Sequence, residues 1–100
     1  MMETNIYSIE IISRGKYESW GFKNEEARDE LFKKILERFK DHAIADKGDD
    51  VDDARILQLS ATSLKIKEDG NFDQRVPYEW YEADQFEALL DYINNEYTKY

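Results

Sequence analysis

Residues 24–42 read NEEARDELFKKILERFKDH, and the rest of the chain is organised around the helix they predict. Ala27, Leu31, Ile35, Phe39 and Ala43 step by four, with Phe32 and Leu36 beside that row. Such a stripe marks a helix lying on a core. Asn24 is a suitable N-cap, because its side-chain oxygen can accept from a backbone N–H of the first turn. Glu25 and Glu26 follow, where negative charge suits the positive end of the helix dipole. The opposite face carries Asp29, Glu30, Lys33, Lys34, Glu37, Lys40 and Asp41 and reads as solvated.

Ahead of this helix, residues 5–13 alternate: Tyr7, Ile9 and Ile11 fall on one face, Ser8 and Glu10 on the other. Arg14-Gly15 is a turn signal, so residues 5–22 predict a β-hairpin. Behind it, residues 43–53 (AIADKGDDVDD) read as an acidic loop. Residues 54–67 predict a strand whose in/out parity changes near Thr62-Ser63, as a bulge or a break would cause; a helical turn over 51–57 is the rival. Asp69-Gly70 is the centre of a turn, and residues 72–81 predict a returning strand. Phe72, Val76, Tyr78 and Trp80 share one face of it, expected to be the core side, with Glu79 and Tyr81 on the other. Pro77 cannot donate to a ladder, so this strand should be an edge or be interrupted there. The last element is a helix over 84–97. Asp84 is its expected cap, Glu87 completes a capping box, and Phe86, Leu89, Leu90, Ile93 and Tyr97 form its buried face.

The expected architecture is thus α+β: a single domain of ββαββα order, with a four-stranded antiparallel sheet and two helices on one face. A chain of 100 residues suits one modest core. There is no cysteine, which excludes disulfides and thiolate chemistry. No apolar run approaches a membrane span and the N-terminus lacks a signal-peptide pattern, so a cytoplasmic location is expected.

The net charge is −9, spread unevenly. Residues 1–40 are balanced, 41–53 carry −5, 54–67 carry +3, and 68–100 carry −7. Such a balance repels nucleic acid and anionic membranes and steers toward a protein with a basic surface. His42 is the sole histidine and stands at a helix end, where a positive ring suits the dipole. The Asp cluster at 46, 49, 50, 52 and 53 fails the calcium-loop pattern because Gly48 comes too early, and the Asp69-Gly70-Asn71-Phe72-Asp73 run fails it with Gln74 at the sixth position and Trp80 at the twelfth. No metal, cofactor or catalytic residue is expected, and a metal protein or enzyme using His42 and the Asp loop is the least favoured reading.

The favoured reading is a non-enzymatic protein-binding module. Its expected binding residues are Asp49, Asp50, Asp52 and Asp53 with Glu79, Tyr81, Glu82, Asp84, Glu87 and Asp91. In its sharper form it is an inhibitor, of phage or mobile-element type, whose carboxylates replace phosphates in a basic nucleic-acid-binding cleft. The alternative is a self-associating accessory domain, a homodimer joined through Ile6, Ile12, Tyr17 and Tyr81 on an open sheet face.

Overall fold

The computed structural model describes residues 4–44 and 56–100. The hairpin is formed by β1 (Thr4–Ser13) and β2 (Lys16–Phe22), in register from Tyr7 opposite Phe22 to Ser13 opposite Lys16. Gly15, at φ 76°, takes the left-handed position of its two-residue turn. Helix α1 (Glu25–Arg38) begins where expected: the Ala27 amide donates to Asn24 Oδ1 at 2.8 Å. It ends four residues short of His42, and Lys40–His42 tighten into a 3₁₀ turn. Strand β3 (Ala43–Ile44) follows at once. The rest comprises β4 (Ile56–Ile66), β5 (Phe72–Arg75), β6 (Tyr78–Glu82), a 3₁₀ turn (Ala83–Gln85) and helix α2 (Phe86–Tyr97).

Among the described residues the sheet has six strands, not the expected four. Its order is β2-β1-β4-β6-β3, with β5 also on β4, and every pairing is antiparallel. Two physical causes raise the count. Ala43 and Ile44, expected in a loop, pair with Tyr81 and Trp80 and add a strand beyond β6. Pro77 divides the returning strand. Ala61 N–H donates to Pro77 O at 3.0 Å, but proline has no N–H with which to complete the exchange. The register is unchanged across the break: Ser63 faces Arg75 and Ser60 faces Tyr78.

Strand β4 has no bulge. Its register against β1 holds from Ile66 opposite Thr4 to Gln58 opposite Ile12. The parity change in its sequence arises because both faces carry apolar residues. Leu57, Leu59 and Ala61 enter the core, while Leu64 and Ile66 lie on the other side with Ile56. The start of the rival helical turn lies outside the described residues, and Ile56 and Leu57 are strand.

The core joins Leu31, Ile35 and Phe39 from α1 and Phe86, Leu89 and Ile93 from α2 to Ile9, Ile11, Trp20, Leu57, Leu59 and Tyr81 of the sheet. Trp20 Nε1 donates to Asn94 Oδ1 at 2.9 Å and ties the hairpin to α2. Helix α2 does not start as expected: Asp84 lies within the 3₁₀ turn, and neither it nor Gln85 makes a side-chain cap.

The facing of β6 is the reverse of the expectation. Tyr81 is 1% exposed within the core, and Tyr78 and Trp80 lie on the outer side. Helix α1 packs over β1, β2 and β4, and the helix layer covers β6 at Tyr81 but leaves Glu79, with Asp73 and Arg75 of β5, exposed. Those three residues occupy the helix side, while Tyr78 and Trp80 face away.

Candidate interaction surface

The register assigns each strand residue to the helix side or the open side of the sheet. The open side carries Thr4, Ile6, Ser8, Glu10 and Ile12 on β1, then Tyr17, Ser19 and Gly21 on β2. From β4 it takes the even residues Ile56 to Ile66; Gln74, Tyr78, Trp80, Glu82 and Ile44 complete it. Among these described strand residues only Glu10 and Glu82 are charged, in a chain that is 37% charged. Lys16, Glu18, Lys65, Asp73, Arg75 and Glu79 all belong to the helix side. Apolar area is exposed across this face: Tyr17 is 61% and Tyr78 52% exposed, and Ile6, Ile12, Ile66 and Val76 are exposed with them. The Tyr78 and Trp80 rings lie 5.3 Å apart.

Glu10 stands in the middle of the face. It is only 8% exposed, and among the described residues its carboxylate is held by hydroxyls rather than by a cation. Ser8 Oγ donates to Oε1, and Ser60 Oγ and Thr62 Oγ1 each donate to Oε2 at 3.1 Å. A carboxylate has about four acceptor sites, so the three hydroxyls nearly satisfy it and fix its place on the sheet. Neither Glu10 nor its hydroxyls were singled out from the sequence. The alternation of Ser8 and Glu10 with apolar residues gave their face but not the serine and threonine that β4 sets opposite.

The expected binding residues divide between places. Asp49, Asp50, Asp52 and Asp53 lie outside the described residues. Tyr81 is buried in the core, where burial first and the nearby charge of Glu79 second push its phenol up to about 12. It is therefore a packing residue and not a contact for a partner. Glu79 is exposed on the helix side, and Glu82 is exposed on the open side. Asp84, Glu87 and Asp91 are exposed on the helix layer, where Glu87 lies 3.7 Å from Lys16 and Asp84 accepts from Gln85 at 3.3 Å. Of the expected self-association residues, Ile6, Ile12 and Tyr17 share the open face and Tyr81 does not.

His42 is exposed at the end of its 3₁₀ turn, with its ring 6.4 Å from that of Phe39. Among the described residues no group of three His, Cys, Asp or Glu side chains could hold a metal ion. No described helix is long and apolar enough to cross a membrane. Comparisons with family models, curated proteins and solved structures return no match for this chain.

Proposed function

We propose that the protein is a non-enzymatic binding module that receives a protein partner on the open face of its sheet. The carrying observation is the segregation of charge. Depletion of charged residues with enrichment of aromatics is the signature of an interface centre, whereas a purely solvated sheet face would share in the chain's abundant Lys, Glu and Asp. Tyr17, Tyr78 and Trp80 supply large, rigid contact area at low entropic cost. The partner's complementary surface is apolar at its centre and basic around it, since a net charge of −9 favours encounter with a cationic protein.

The sharper version, occupation of a basic nucleic-acid-binding cleft, has less support. The described acids are divided between the open side, the helix side and the outer surface of α2, and so form no single phosphate-like row. Self-association is the second reading, favoured by the joint exposure of Ile6, Ile12 and Tyr17. Against it, stacking two open faces about an axis near Glu10 would bring two carboxylates together in a dry interface, which is costly.

The test uses Ile12→Lys with Tyr78→Lys, two exposed positions on different strands. The native chain is used to isolate a binding protein, whose affinity for both forms is then measured across a salt series. Loss of at least about tenfold for the double variant, with weakening at high salt, is the expected result. Equal affinity for both forms removes the open face from the interface. Concentration-dependent dimerisation of the native chain, abolished by the same substitutions, replaces the reading with the second one.

A further inference from the structure

On the other side of the sheet, away from the open face, lies a cavity of about 290 Å³ between the first turns of α1 and the far ends of β4 and β5. Arg28, Lys65 and Arg75 line it, together with Ser63, Glu25, Asp73 and Pro77. The cations come from three elements, and Lys65 belongs to 54–67, the one segment of the chain with a marked positive balance.

Arg28 is the unusual member. It is 3% exposed, yet among the described residues its charge pairs with one carboxylate, that of Asp29, through Nε at 2.7 Å. One terminal nitrogen donates to Thr62 O at 2.6 Å and the other to Ser63 Oγ at 2.7 Å. The Tyr7 ring lies 5.8 Å from the guanidinium carbon. These contacts use three of the five N–H hydrogens and leave one on each terminal nitrogen. A guanidinium so held is a fixed donor pair, not a mobile surface charge. Arg75 is exposed and forms no ion pair with a described residue, so its head group is available to the cavity mouth.

We propose that this cavity binds a single phosphoryl group, held by Arg28 at its floor and by Lys65 and Arg75 at its mouth. Three cations from three directions suit a tetrahedral dianion with three free oxygens; a planar carboxylate has only two oxygens to offer. The two acids of the cavity lean toward lysines, Glu25 lying 3.9 Å from Lys65 and Asp73 3.8 Å from Lys67. They balance the site while it is empty, and a ligand displaces their long ion pairs at small cost. The space exceeds that of the bare ion, so an ester substituent fits as well.

Titration of the isotopically labelled native chain with inorganic phosphate, at constant ionic strength, tests the site. Amide shifts should concentrate at Glu25, Ser63, Lys65 and Arg75. Lys65→Gln with Arg75→Gln should weaken binding by at least about tenfold, through loss of two charge-assisted contacts. Asp73→Asn should tighten it, because a like charge is removed. Acetate should bind more weakly than phosphate. Phenyl phosphate separates the sources: tighter binding assigns the site to an ester, equal or weaker binding to the free ion. Shifts scattered over the surface, acetate matching phosphate, or affinity unmoved by Asp73→Asn would each overturn the proposal. The Asp73→Asn arm stands by itself should the double variant fail to fold.

Discussion

Tyr81 packs into the core from a strand whose other helix-side residue is the exposed Glu79. The folded chain keeps its proton up to about 12, whereas an unfolded tyrosine releases it near its ordinary value of 10.0. Its contribution to stability is therefore complete below pH 10 and lost as pH climbs through about 12. Phenolate absorbance followed alongside circular dichroism should show one tyrosine ionising only as the chain unfolds. Tyr81→Phe should flatten the alkaline fall in stability. Little of this was legible in the sequence, because YEWYE is aromatic on both parities. Alternation identifies a face only where one side is polar, and the core side was settled by which strands the helices cover. Arg28 was hidden for a similar reason. It sits one residue from Ala27 on the helix stripe, and a long cationic side chain there ordinarily reaches water.

At the level of elements, both helices and the first hairpin follow local rules that a sequence displays: periodic stripes, a glycine turn and, for α1, an asparagine cap. The strand count does not, because it depends on distant partners. Ala43-Ile44 is too short to signal a strand and forms one only because β6 offers a free side at Tyr81 and Trp80. Pro77 is informative in the opposite sense. The expected interruption is present, yet the register on β4 is continuous through it. Pro77→Val should therefore restore a ladder bond without shifting any neighbour. The new amide at position 77 should be protected from hydrogen exchange through a bond to Ala61 O, and Ser60–Ser63 should become more protected. The net change in stability should stay within about 1 kcal/mol, since the added bond is offset by the greater freedom of the unfolded chain. An unprotected amide at 77 would show that the break has a cause other than proline.

For the molecule as a whole, the two layers divide the chemistry. The helix side carries most of the charged strand residues and the cation-lined cavity; the other side is nearly free of charge and rich in aromatic area. Net charge alone, read from the sequence, describes an evenly repulsive acidic particle. The folded chain is instead two-sided, and the division follows from strand register, which no composition records. Among the described strand residues, the open face has only Glu10 and Glu82 to oppose contact with a neighbour.

The hydroxyl of Tyr97 donates to the Gly21 carbonyl, and its ring meets Phe22 edge-on at 5.2 Å. Strand β2 ends the strand order on one side, with no further strand beside it among the described residues, so this contact makes α2 a guard on a border along which added chains would template. Its consequence is kinetic and lies in storage rather than in binding: Tyr97→Phe keeps the packing but unlocks the carbonyl. Such a chain should melt close to the native one, yet form fibrils sooner when held concentrated under shaking, as a shortened lag in dye-monitored growth would reveal.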